Sequence, residues 1–447
     1  MTAYIEYCLS FINQWLLSPA AALVLLFAGI VLSVKLKFFH LKNPVKLARL
    51  MFENKNGTSH SPFRALTVAL AGTLGVGNIS GVALALSYGG AGSIFWMWVS
   101  ALCAMIVKYS EIVLAVYHRD VRDGNLHGGA MYYIKHGLRK KGLSSLLAVG
   151  FACFCIFSSL STGSIIQVNA VSEAFEGCFS LSPVIVGAVM AALTAYALFS
   201  SKSEKVSDIT VKLVPFMSAV FIGLSLFIIL RNVGDLPEIL GMIFKDAFTP
   251  NSAIGGIGGY VFSKSVRFGV TRGLFSNEAG CGTSTIAHAK ADSSSARSQG
   301  VWGIFEVFFD TVVLCTLTAF VLLLTYKNNI PQTDEGVMMS LEAYRLSLGN
   351  VAQNILAVSI FLFAYATLIC WAFYGCECVY FLCKSPRAKK IYLCVYIISI
   401  IYGAIAPSSL TWALADSSIC IMLIVNTVCV LLMSDTIKKL SEEKSGA

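Results

Sequence analysis

Two short stretches set hydrogen-bonding side chains beside glycines inside otherwise apolar runs: Gly75-Val76-Gly77-Asn78 and Ser276-Asn277-Glu278-Ala279-Gly280-Cys281-Gly282. Where a helix unwinds, one half presents free N–H groups and the other free carbonyls. The N–H end carries partial positive charge and suits a carboxylate. The carbonyl end suits a small hard cation that takes oxygen ligands. A small amino acid and Na+ side by side would satisfy both, the cation neutralising the carboxylate in a medium of low dielectric. Co-transport is the chemistry such a pair of breaks serves most simply.

Individual residues sharpen this. Gly75, Val76 and Gly77 would offer backbone N–H groups, and the two glycines let a ligand approach closely. Asn78 can give an amide oxygen to an ion or a hydrogen bond to a carboxylate. Ser276 and Asn277 are neutral polar ligands on the second break. Glu278 is the most conspicuous residue, because a carboxylate at membrane depth is costly and usually functional. It reads either as a gating or coupling group, or as a structural partner of Arg272 or of exposed N–H groups. Gln167 lies in a small, apolar helix, where it suits a substrate's charged ends or an interhelical hydrogen bond. Thr367 and Trp371 stand at i and i+4, on one helix face: a hydroxyl for the ion and an indole wall, or a packing face. Lys108 with Glu111, and Glu306 with Asp310, read as structural charge networks.

The elements that must position these residues are membrane spans. Of 447 residues, 56% are hydrophobic and 13% charged, with a mean hydropathy of +0.74, whereas soluble domains carry about 25% charged residues. Apolar windows fall near 15–36, 63–87, 93–117, 146–174, 182–200, 211–230, 254–290, 300–325, 349–382, 391–406 and 413–434, which makes about eleven transmembrane helices. The first lacks a preceding basic region and so reads as a span rather than a cleaved leader, with its N-terminus outside. Alternate loops hold 25 Lys and Arg residues on one side against 4 on the other. The positive-inside rule then places the C-terminus in the cytoplasm. The net charge of +9 is this cytoplasmic excess and calls for no nucleic-acid partner; the basic loops favour anionic lipid in the surrounding bilayer.

Setting the first span aside leaves ten, or five plus five, each half opening with a broken helix and the second entering the membrane in the opposite sense. That is an inverted-repeat plan. It divides the chain into an extra N-terminal helix (1–37), a basic linker (38–62), a first repeat (63–231), an external loop (232–253), a second repeat (254–434) and a cytoplasmic tail (435–447). The fourteen cysteines sit mostly in apolar runs as small hydrophobes. Cys376, Cys378 and Cys383 lack a fourth ligand at zinc spacing and read as packing. The glycines around Gly75 have neither the strand nor the spacing of a dinucleotide loop.

Several blocks resemble the alanine or glycine:cation symporter family. They are Ala65-Leu66-Thr67 through Gly75-Val76-Gly77-Asn78-Ile79, Gly89-Gly90-Ala91-Gly92 with Phe95-Trp96-Met97-Trp98, Lys108-Tyr109-Ser110-Glu111, Gly128-Gly129-Ala130-Met131-Tyr132-Tyr133, and Arg272-Gly273-Leu274-Phe275-Ser276-Asn277-Glu278-Ala279-Gly280. The resemblance implies an all-α polytopic membrane protein with a LeuT-like five-plus-five inverted repeat behind one extra helix. It implies sodium-coupled import of alanine or glycine across a prokaryotic inner membrane, with Na+ as coupling ion and no cofactor. Within that fold, Gly75 to Asn78, Gln167, Ser276, Asn277 and Trp371 match the substrate pocket. The carbonyls of Ala71 and Leu74 with the Thr367 hydroxyl match the main sodium site. Val76 stands where the family usually has threonine, Ala366 where it commonly has serine or threonine, Cys281 where methionine or leucine is common, and Cys376 where glutamate is common.

Two other readings compete. Proton coupling would make Glu278 the carrier. An intramembrane enzyme would need a nucleophile–base pair or metal ligands at span depth, which the six histidines do not supply.

Overall fold

The computed structural model describes residues 2–42, 44–52, 61–122, 124–199, 204–248, 264–292, 295–327 and 329–442. Helices end at the two breaks, at Gly75 and around Gly280 to Gly282, and the apolar runs on either side of them form helices. Among the described residues, eight helices are long and apolar enough to cross a membrane: Glu6–Lys35, Gly92–Tyr117, Lys141–Phe179, Val206–Arg231, Ala296–Tyr326, Asn350–Cys383, Pro386–Ile405 and Ser408–Leu432. Pro62–Thr73 and Val76–Gly89 make a ninth if counted as one span, bent by 64° at the first break.

The two remaining sequence windows fall on weaker helices. Pro183–Phe199 has only 17 residues. Lys264–Asn277 carries Lys264, Arg267 and Arg272 before the second break, and the predicted start of that window, 254–263, lies outside the described residues. The external loop expected at 232–253 contains an amphipathic helix, Leu236–Phe248, and a further helix, Gly336–Leu348, precedes the Asn350–Cys383 span.

Ion pairs tie segments near the span ends together. Lys35, at the end of the first span, meets Asp435 of the C-terminal segment at 2.7 Å. Arg64 meets Asp208 at 2.6 Å. Lys327 meets Asp235 at 3.1 Å. The extra N-terminal helix is also fastened within the apolar region, where Asn13 Nδ2 donates to the Ala413 carbonyl (2.8 Å) and Asn13 Oδ1 accepts from Ser417 (2.8 Å). A buried amide satisfied on both sides fixes the register of this helix on Ser408–Leu432.

Among the described residues, three spans contain wide π turns, at Asn13–Leu17, Ser161–Ile165 and Phe308–Cys315. Such turns shift the helical register and recur at functional sites. Two of them border the breaks described next.

Candidate functional site: the paired helix breaks

The first break opens because two N–H groups leave the helical ladder. Gly75 N–H turns back to the Thr73 carbonyl (2.9 Å), and Val76 N–H donates to Gln167 Oε1 (3.1 Å). Gln167 follows the Ser161–Ile165 π turn, and its amide nitrogen donates to the Thr162 carbonyl (3.1 Å), which locks its orientation. The carbonyl side of the break faces Thr367, whose Oγ1 lies 3.0 Å from the Ala71 carbonyl, 3.4 Å from that of Leu74 and 3.0 Å from that of Phe363. One hydroxyl proton serves three acceptors, so carbonyl lone pairs remain around this point. Gly75 makes the arrangement possible: a Cβ there would lie 2.8 Å from Gln167 Oε1 and 3.0 Å from Thr367 Oγ1.

Trp371, one turn after Thr367, is fully buried, and among the described residues its Nε1 has no hydrogen-bond partner. It lies over Gly163 in the π turn so closely that a Cβ at that position would collide with the indole. Tyr396 OH, which donates within hydrogen-bond distance of the carbonyls of Gly163 (3.1 Å) and Leu368 (2.8 Å), ties the two walls together.

At the second break the chain satisfies its own loose backbone. Ala279 N–H donates to Asn277 Oδ1 (2.9 Å), and Gly280 N–H donates to Glu111 Oε2 (3.2 Å). Asn426 Nδ2 donates to the Gly280 carbonyl (2.8 Å) and to Glu111 Oε1 (2.5 Å). Glu278 adopts φ +52°, a left-handed conformation that costs a non-glycine residue about 1–2 kcal/mol. Its carboxylate accepts from Thr283 Oγ1 (2.6 Å).

Arg272 is not the partner of Glu278. It makes a bidentate pair with Asp416 (2.9 and 3.0 Å) and lies over the Trp412 ring (4.5 Å). A cavity of about 200 Å³ borders this pair and is also lined by Asn13, Tyr88 and Asp334. Lys108 and Glu111 do not pair with each other either. Lys108 pairs with Glu306 (3.2 Å) and donates to Ser284 (3.0 Å), while His288 bridges Glu306 (3.2 Å) and Gln299 (2.7 Å).

The breaks meet through side chains. Asn78 Nδ2 donates to Ser276 Oγ (2.8 Å) and to Asp310 Oδ1 (2.7 Å); Ser276 in turn donates to Asp310 Oδ2 (2.7 Å). Asn277 Nδ2 donates to Thr311 (3.0 Å). Gly75, Val76, Gln167, Thr367, Ala71 and Leu74 thus cluster at the first break, with Trp371 a turn away, and Asn78, Ser276 and Asn277 join the second. Glu278 sits with Thr283 instead of entering that junction. Sequence reasoning missed Asp310 at the junction and Glu111 at the second break. Both carried a signal, as carboxylates within apolar windows, but it pointed equally to a structural charge pair.

An α-helical multi-span protein with two unwound helices meeting at a buried polar centre has the build of a secondary transporter. Its fold is shared by the solved structure of MhsT in complex with L-phenylalanine, with a TM-score of 0.58, 13% identity, and coverage of 86% of this chain and 92% of that one. The chain belongs to the sodium:alanine symporter family, whose profile matches residues 2–444. It is 35% identical to the sodium/alanine symporter AgcS of Methanococcus maripaludis over 90% of this chain and 88% of that protein. It is 32% identical to the probable sodium/glutamine symporter GlnT of Bacillus subtilis over 92% of this chain and 85% of that protein. The protein is accordingly a multi-pass membrane transporter of a family of amino-acid:cation symporters.

Proposed function

We propose that this protein imports a small neutral amino acid, alanine or glycine, together with Na+ across a prokaryotic inner membrane by alternating access. The observation that carries the reading is the Thr367 hydroxyl, 3.0 and 3.4 Å from the Ala71 and Leu74 carbonyls, an all-oxygen cluster of the kind a hard cation takes. The ion enters there. The substrate carboxylate lies against the unwound backbone from Gly75 to Asn78, with Gln167, Ser276, Asn277 and Trp371 around it. The crowding of Trp371 against Gly163 favours a small side chain. Residues 63–231 and 254–434 act as oppositely oriented halves, and the two broken helices rock against the remaining spans. Glu278, held in a strained conformation beside the second break, serves gating or coupling.

Purified protein reconstituted in liposomes is expected to accumulate radiolabelled alanine or glycine only with an inward sodium gradient. Equal uptake with choline in place of sodium would refute the coupling. A competition panel that includes glutamine, D-alanine and larger amino acids measures the substrate. Preference for glutamine over alanine would overturn the assignment.

Gln167→Ala removes the side chain that pairs with the Val76 N–H. Leaving a buried donor unpaired costs about 1–3 kcal/mol, and the freed amide dipole is no longer held at the substrate. Substrate affinity is expected to fall by about ten-fold or more, while sodium dependence changes less. Equilibrium binding of labelled substrate measures this, and unchanged affinity would remove Gln167 from the pocket.

A further inference from the structure

A second cavity of about 200 Å³ lies at the end of the first span, and its lining includes Lys35, Lys37, Phe39, Tyr109, Arg297 and Glu442. Three elements far apart in the chain meet there: the end of Glu6–Lys35, the start of Ala296–Val307 and the C-terminal helix Ser434–Glu442.

Packing fixes the walls. Gly300 and Gly303 let Ala296–Val307 lie directly against Tyr109 and Lys108. Tyr109 OH donates to Ser441 Oγ (2.8 Å), Ser441 donates to the Ile437 carbonyl (2.7 Å), and Ile437 is fully buried, so the C-terminal helix is seated on the Gly92–Tyr117 span. Phe39 packs edge-on against Tyr109 (4.8 Å). Lys37 and Phe38 both adopt left-handed conformations (φ +57° and +54°), which are unfavourable for residues with a side chain. This turn after the span returns Phe39 to the cavity and leaves Phe38 exposed.

Positive charge at the cavity exceeds what the chain neutralises. Lys35 is taken by Asp435 (2.7 Å) and Ser434 (2.8 Å). Lys37 reaches Glu442 only at 4.0 Å, with both side chains more than half exposed, and such a pair holds weakly. Arg297 has no ion pair among the described residues, since Asp435 and Glu442 of the C-terminal helix go to Lys35 and Lys37. A guanidinium fork and an ammonium group that reach one cavity from different elements suit a phosphate, which takes a bidentate arginine contact and a lysine point charge together.

The surroundings indicate which kind of phosphate. The cavity stands where a span ends, at the depth of lipid headgroups, on the side that loop charge assigns to the cytoplasm. The adjoining segment exposes Phe38, Leu41 and Val45 together with Lys42 and Arg49, and turns Leu47 and Leu50 inward. Apolar and basic side chains exposed on one short segment are the marks of a piece that lies in the membrane interface. A phosphate carrying acyl chains gains from both, whereas a soluble phosphate gains nothing from the apolar side chains.

We propose that Arg297, Lys37 and Lys35 bind the phosphate of an anionic phospholipid, whose headgroup fastens the C-terminal helix to the first span. The site requires that the chain be embedded in a membrane and does not depend on which amino acid or ion is carried.

The test is binding of labelled phosphatidylglycerol to the purified, delipidated full-length protein in detergent, with phosphatidylcholine and inorganic phosphate as competitors. The wild type is expected to bind the labelled lipid, and neither competitor at equal concentration displaces it. Displacement by inorganic phosphate would make this a soluble-phosphate site and overturn the lipid; displacement by phosphatidylcholine would overturn the requirement for anionic charge. Arg297→Gln combined with Lys37→Gln is expected to lower affinity about ten-fold or more, and Arg297→Lys to retain part of it. Arg49→Gln, an exposed basic position outside the lining, is expected to bind as the wild type does. Unchanged binding in the double variant, or an equal loss in Arg49→Gln, would overturn a built site in favour of diffuse attraction. Glu442→Gln removes the carboxylate from the lining and is expected to tighten binding by about two- to three-fold, a gain that misfolding cannot produce. Unchanged or weaker binding in that variant would overturn the arrangement.

Discussion

Replacing Thr367 with valine is expected to raise the sodium concentration for half-maximal uptake by about ten- to a hundred-fold, with little change in which amino acids compete. Valine has nearly the shape of threonine, so the buried helix face is filled as before, and only the hydroxyl 3.0 Å from the Ala71 carbonyl and 3.4 Å from that of Leu74 is lost. A polar contact to a charged group contributes about 1.5–3 kcal/mol, and each 1.4 kcal/mol is about ten-fold in a binding constant. Sodium titrations of uptake at fixed substrate measure the effect. A change in substrate preference with unaltered sodium dependence would move Thr367 out of the ion site.

The second large effect is on stability. Lys108 and Glu306 are a fully buried pair at 3.2 Å, and Lys108 also reaches Ser284 just past the second break. Lys108→Met leaves the Glu306 carboxylate buried without its cation, a change that costs about 3–5 kcal/mol. The purified variant is expected to unfold at clearly lower temperature than the wild type. Lys108→Met combined with Glu306→Gln removes both charges and is expected to recover much of the loss, because it is the stranded charge that destabilises. Equal destabilisation in the single and double variants would show that Lys108 acts through packing and not through its charge.

The two charge networks also differ in kind. Lys108, Glu306, His288, Gln299 and Ser284 interlock beside the second break around a cation paired with a carboxylate, which suits a rigid support. At Asn78, Ser276 and Asp310, among the described residues, the carboxylate accepts only from neutral donors. The same contrast holds for the breaks. The second is closed by Glu111, Asn277 and Asn426 from within the chain, while the first is held open between Gln167 and Thr367.

By itself the sequence determined where helices cannot continue and what chemistry their ends offer. Glycines and amides at Gly75 to Asn78 and at Ser276 to Gly282 are local features, and the cost of loose backbone in hydrocarbon is set by the residues themselves. The family blocks and the alternation of loop charge are legible for the same reason. The tertiary structure decided the partners. Arg272 pairs with Asp416, 144 positions away, and not with nearby Glu278; Lys108 takes Glu306 and leaves Glu111 to the Gly280 N–H. Asp310, four residues from Glu306 on one helix, is turned by a π segment toward Asn78, 232 positions away. Spacing along a helix says which side chains share a face, but not which span lies opposite. Because a buried charge takes whatever partner the packed spans bring within about 3 Å, the assignment of each carboxylate had to wait for the fold.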